Sequence, residues 1–191
     1  MGEPLKRGVR KLLNHLDSPN FQITIIEQSW LPGASAEEDL CSHGRIRLLI
    51  GGQQITSGKE DYGISESALS LLRTLQRDHS AAQPVAQMLI FHGCGTMLVM
   101  GCPIGVDWDV HHVADRVRIS KVVRYDGTGD GDATTFPNLI VDLSETEYRD
   151  QVLAFAQEAK KPFSGIAKTF ADDFDRQQYN DFWREYDALL G

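Results

Sequence analysis

Between His92 and His112 the chain reads HGCGTMLVMGCPIGVDWDVHH, three histidines, two cysteines and two aspartates within twenty-one residues. Imidazole and thiolate are the usual ligands of zinc. A histidine beside a thiol or carboxylate is also the minimal equipment for nucleophilic or general-base catalysis. Structural zinc sites draw their ligands from close pairs such as CxxC or HxxxH. Here the candidates are Cys41 with His43, His92 with Cys94, Cys102 alone, and His111 with His112, and none is a CxxC pair. Cysteine is also among the most buried residue types, so Cys94 and Cys102 are expected in the core, with no metal and no cofactor. The alternative is a metal-dependent or cysteine hydrolase built on His92, Cys94, Cys102, Asp107, Asp109 and His111, which requires those groups to converge beside a pocket.

Within VDWDVHH a strand's period of two sorts the side chains. Val106, Trp108 and Val110 fall on one face, and Asp107, Asp109 and His111 on the other, which is expected to meet solvent. DGTGDGDATTFP resembles a calcium loop from Asp126, with Gly131 at the sixth position. Thr128 and Pro137 occupy positions that should carry ligands, so a mobile turn is the expectation. IGGQQ lacks the P-loop pattern, and GxSxG, HExxH and GxGxxG are absent from the chain.

With 191 residues, 41% hydrophobic and 24% charged, the composition is that of a globular chain, and residues 1–191 are expected to form one domain. No apolar run reaches the roughly 18 residues of a membrane span. The N-terminus lacks the apolar stretch of a secretory signal, and Lys6 stands where myristoylation needs Ser or Thr. Three sparse cysteines suit free thiols in the cytoplasm. A net charge of −8 argues against nonspecific binding to nucleic acid. The charge is polarised, with a net +2 over residues 1–17 and −4 over 172–187.

The positioning elements follow from periodicity. Leu5, Val9, Leu12, Leu13 and Leu16 predict an N-terminal amphipathic helix, and Phe21 onward reads as a strand. RIRLLIGGQQIT is a second strand, with Arg45 and Arg47 opposite in face to Ile46 and Leu48. A helix near 65–79 starts with Ser65 as cap and Ile64 and Leu69 as staple. Four extended blocks between 86 and 125, joined by short connections, predict an antiparallel meander. Ser144 and Glu147 form a capping box for a helix over 144–160. The last helix, 172–190, places Phe174, Phe182, Trp183, Tyr186, Leu189 and Leu190 near a common face, with Asp172, Asp173 and Asp175 in its first turn. The fold class is therefore α+β, a central, mainly antiparallel sheet packed with these helices.

In size, acidity and layout the chain resembles bacterial cytosolic proteins of the immunity type found in toxin systems. YGISESALSLLRTL, HGCGTMLVMGCPIGVDW and YNDFWREYDALL are the segments that carry the likeness. The resemblance implies a non-enzymatic module that covers a partner protein, and it carries over no individual residue. From the residues themselves, Asp172, Asp173, Asp175, Asp181, Glu185 and Asp187 could face a basic protein partner, with Trp183 as an anchor. A homo-oligomer is a third reading.

Overall fold

The computed structural model describes residues 19–81, 88–92, 97, 102–127 and 132–191. The expected helix over residues 5–16 and the block at 95–101, apart from Met97, lie outside the described residues. The first sheet contains β1 (Phe21–Ser29), β2 (His43–Ile50), β3 (Gln53–Gln54) and β4 (Tyr62–Gly63), β2 pairing with each of the others. The second contains β5 (Ile90–Phe91), β6 (Ile104–Val113), β7 (Arg116–Asp126), β8 (Ala133–Phe136) and β9 (Val141–Ser144). Every strand pair is antiparallel. The helices are α1 (Ile64–Arg73), α2 (Glu145–Lys160) and α3 (Asp173–Leu190), with a short 3-10 turn, Lys161–Phe163, after α2. The fold is α+β with antiparallel sheets, and the strands divide between two sheets rather than forming one.

The first sheet follows from its alternation. Ile46, Leu48 and Ile50 are fully buried while Arg45 faces outward and pairs with Glu27. Ile26 is the extra residue of a bulge in β1, because Ile25 lies opposite Ile46 and Glu27 opposite Arg45. That bulge needs Gly44, where a Cβ would stand 1.9 Å from the Glu27 carbonyl oxygen. Gly51 and Gly52, with φ of 57° and 73°, make the tight β2–β3 hairpin turn that L side chains resist. IGGQQ is therefore a turn, and a Cβ on Gly51 would also press on Leu139.

α1 starts two residues earlier than a Ser65 cap would set it. Gly63 is its N-cap, without a side-chain cap, and the Ser65 hydroxyl instead accepts the Ser42 N–H at 3.0 Å. The helix stops at Arg73, short of residue 79; the Thr74 N–H still bonds Leu71 and the Thr74 hydroxyl donates to the same carbonyl. The α2 capping box is present on both sides, Ser144 to the Glu147 N–H and the Glu147 carboxylate to the Ser144 N–H. A capping box of this kind stabilises a helix start by about 1 kcal/mol. Asp172 caps α3 by accepting the Asp175 N–H.

Among the described residues, one hydrophobic cluster runs through both sheets and through α1, α2 and α3. Trp108 contacts Phe21, which in turn packs on Tyr148 of α2. Phe182 and Tyr186 bring α3 into it, and the Tyr186 hydroxyl donates to the Ala156 carbonyl at 2.7 Å. Phe174 departs from the expected common face: it is 65% exposed. It precedes Trp183 by about two and a half turns at 3.6 residues per turn, which sets it on the opposite side of α3.

β8 replaces part of the expected mobile turn after Asp126. It pairs with β7, and the Asp126 N–H donates to the Asp132 carbonyl at 2.7 Å. The Asp126 carboxylate is held by Arg124, and Asp130 lies outside the described residues.

Candidate functional site

β6 presents both faces that its alternation predicts, but neither meets water over most of the strand. Val106, Trp108 and Val110 are fully buried, and Asp107 and Asp109 are each only 1% exposed. The expectation of a solvent-facing polar side is corrected by the segment that follows α1, which crosses that edge. His79 exchanges two backbone hydrogen bonds with Val110, both 2.9 Å. Further along, β5 continues the pairing at Val106.

The carboxylates fasten this segment from below. Asp107 Oδ1 receives His79 Nε2 at 2.8 Å and the Leu89 N–H at 3.3 Å. Asp109 Oδ1 receives the Ala81 N–H at 2.9 Å, while its Oδ2 faces Lys121 Nζ at 2.9 Å and His111 Nε2 at 3.5 Å. Asp78 answers from the loop, accepting the His112 N–H at 2.9 Å and meeting His111 Nδ1 at 3.1 Å. His112 Nε2 reaches the Thr74 carbonyl at 2.8 Å. Burial would push the Asp109 carboxyl up, but Lys121 and the Ala81 N–H outweigh it and hold it below its ordinary value. The His112 N–H, then His111, lower Asp78.

Lys121 reaches Asp109 because β7 bulges there. Asp109 pairs with Ser120 and Asp107 with Val123, so Lys121 and Val122 together oppose Trp108. Lys121 takes the extra position with φ of 51°, a left-handed conformation uncommon for a residue with a side chain. Its ammonium stays mostly in solvent while the carboxylate partner is buried.

Of the six residues of the hydrolase reading, the structure brings together Asp107, Asp109 and His111. It adds Asp78, His79 and Lys121, which sequence spacing did not single out. His92 bonds elsewhere, through Nδ1 to the Asp61 carbonyl at 2.7 Å and through its N–H to Ile104 at 2.9 Å. Cys102 is a half-buried free thiol, and Cys94 lies outside the described residues. Cys41 is fully buried, and burial together with Glu66 and Asp39 pushes its thiol far up, away from the thiolate a nucleophile requires. Its neighbour His43 faces Asp39 Oδ2 at 3.4 Å. Among the described residues, no three of His, Cys, Asp and Glu are grouped so as to hold a metal ion.

The acidic helix is arranged differently. Glu185 takes a bidentate grip from Arg73, 2.7 Å to each oxygen, and Asp187 pairs with Lys160, so both fasten α3 to the body. Arg73 holds the Glu185 carboxyl below its ordinary value. Asp181 stays within its own helix, between Gln177 and Arg184. Trp183 is half-buried in a ring cluster with Phe163, Tyr179, Phe182 and Tyr186. Asp172, Asp173 and Asp175 lie at the N-terminal turn of the helix, where Asp175 is half-buried and lines a pocket with Glu38 and Leu40. Asp172 serves as cap, and Asp173 and Asp175 have no ion pair among the described residues. Phe174, with 65% of its surface exposed, stands among them.

No protein-family model matches the chain, and no curated protein and no solved structure is similar to it. The class of protein is therefore set by its own geometry: an α+β chain of two antiparallel sheets with a polar clasp on one strand and an acidic, aromatic-tipped helix. No helix among the described residues is long and apolar enough to cross a membrane.

Proposed function

We propose that this protein is a non-enzymatic protein-binding module of the cytosol, an immunity or regulatory factor that covers a basic partner. The observation that carries this reading is Phe174, a large apolar side chain 65% exposed in the first turn of α3, the turn that also holds Asp172, Asp173 and Asp175. An exposed aromatic within a charged rim is the pattern of an interface anchor. The ring fills a socket on the partner, while the carboxylates speed and orient the encounter. The clasp supports the same conclusion, since Asp107 and Asp109 are engaged with backbone N–H groups, His79 and Lys121. The hydrolase alternative would need those oxygens for a substrate or metal.

The test is affinity capture from the native host with the wild-type chain and the Phe174→Ala variant as parallel baits, followed by binding kinetics on the protein recovered. A basic partner held by wild type and lost or weakened at least about ten-fold by Phe174→Ala supports the reading. Equal retention by both baits refutes Phe174 as the anchor. Stoichiometric metal in protein purified without added metal would favour the hydrolase instead.

A further inference from the structure

Lys121, Lys160 and Lys161 each pair with a carboxylate, whereas Lys168 has no ion pair among the described residues. Its Nζ donates instead to the Ala36 carbonyl at 2.6 Å and to the Asp39 carbonyl at 2.5 Å. The same atom lies over the Trp30 ring at 4.1 Å and the Phe163 ring at 4.8 Å, two rings that meet edge to face at 4.9 Å. Burial holds this amine below its ordinary pKa, although Asp39, Cys41 and Glu37 favour its charge. What keeps it in place is therefore contact with rings and carbonyls rather than an ion pair. A lysine ordinarily leaves its head in water while its stem covers apolar surface, so a head drawn inward in this way is a built contact.

The contact joins two segments that are neither helix nor strand. On one side is 31–41, shaped by the buried Asp39 carboxylate, which accepts the Leu31 N–H at 2.8 Å and the Cys41 N–H at 3.1 Å. On the other is 164–172, the strap between the 3-10 turn and α3. There the Thr169 N–H donates to the Glu37 carbonyl at 2.9 Å. The far half of α3 is tied to the body by Arg73 on Glu185, by Lys160 on Asp187 and by the burial of Phe182 and Tyr186. Residues 173–178, in contrast, make no hydrogen bond or ion pair to a strand or to another helix among the described residues. Asp175 faces Glu38 and Leu40 across a cavity of about 320 Å³ that the strap helps to wall, so the first turn of α3 stands over the segment that Lys168 grips.

We propose that Lys168 is the latch that positions the partner-binding end of α3: by docking the strap on 31–41 it sets where Phe174 and the carboxylates of that turn stand. It is a positioning residue, and the inference rests on the recognition role given to Phe174. The link is short, because Asp172 is both the last residue of the strap and the cap of α3, so a freed strap frays the cap.

Amide hydrogen exchange at Thr169 and Asp175 tests it, since those N–H groups donate to the Glu37 carbonyl and to Asp172 Oδ1. Lys168→Met keeps an apolar stem and removes every donor. It should speed exchange at both amides by about ten-fold or more, while amides inside α2 keep their protection and show that the chain is folded. Lys168→Arg, which restores N–H donors and a cation for the ring faces, should return both amides to within about three-fold of wild type. Thr169 exchange unchanged by Lys168→Met overturns the latch. Asp175 still protected when Thr169 is freed also overturns it, because the latch then does not reach the recognition end. A Lys168→Arg variant as open as Lys168→Met shows that rings and carbonyls do not hold a cation, and overturns it as well. The two readings fail separately: exchange needs no partner, so a chain that captures nothing leaves this result intact, and a silent Lys168→Met leaves the capture by Phe174 standing.

Discussion

Asp107 and Asp109 on β6, and Asp173 and Asp175 on α3, are the same side chain at the same spacing of two residues. The first pair is 1% exposed and its oxygens are taken by Leu89, Ala81, His79 and Lys121. The second pair makes no ion pair among the described residues, and Asp173 is exposed. On the strand, period two sends both carboxylates to one side, where a returning segment covers them. On the helix, the same spacing spreads them around the axis in the first turn, one exposed and one half-buried. Burial and partners, rather than residue type, decide whether an aspartate holds the fold or faces outward. A carboxylate taken out of water must be paired, and once paired it becomes expensive to remove.

The sharpest way to break this contrast is truncation. Asp107→Ala leaves the Leu89 N–H and the His79 ring without their acceptor and should lower stability by about 2–4 kcal/mol, read from urea unfolding. Asp173→Ala should change it by no more than about 0.5 kcal/mol. Equal effects at the two positions would remove the distinction. Glu185→Gln occupies the middle ground: Arg73 and Glu185 are partly exposed, so the loss should be about 0.5 kcal/mol after solvent screening.

Titration separates the regions in a second way. The folded Asp109 carboxyl lies below its ordinary value, so its contribution is complete above the unfolded carboxyl pKa, about 3.9, and is lost as pH falls through the folded value. Asp109→Asn should therefore flatten the acid limb of the stability curve below about pH 4 relative to wild type. A limb of unchanged steepness would show that Lys121 and Ala81 do not favour the ionised form. Asp173→Asn with Asp175→Asn should cost at most about 1 kcal/mol, through the lost interaction with the helix dipole, but slow association with a basic partner by roughly several-fold at low salt and less as salt rises. The smallest effect is chemical. Cys102 should alkylate in the native fold, while Cys41, buried and with its thiol pushed up, should react only after unfolding.

Much of the scaffold was legible because local rules governed it. The Ser144 and Glu147 box and the β6–β7 hairpin each depend on residues within a few positions of one another, whereas Asp172, read as part of the first turn of α3, is its cap. Alternation also sorted Trp108 from Asp107 correctly. What covers Asp107 was not legible, because His79 lies twenty-eight residues away and nothing in the spacing of either segment announces the other. The bulge that aims Lys121 was hidden for the same reason: it is a property of the β6–β7 register rather than of β7 alone. Ser65 had the right chemistry for a cap, but the Ser42 N–H, distant in sequence, uses its hydroxyl instead. Phe174 was grouped with the common face, yet nine residues before Trp183 is about two and a half turns, which sets it on the opposite side of α3 and in water.

Amide hydrogen exchange at Ala81 tests the central claim most directly, because that N–H donates to Asp109 Oδ1. In wild type it should be protected, and Asp109→Ala should abolish that protection while amides within α2 keep theirs. Rapid exchange at Ala81 in wild type, or protection that survives Asp109→Ala, would mean that the buried carboxylate does not fasten the segment, leaving it free for chemistry.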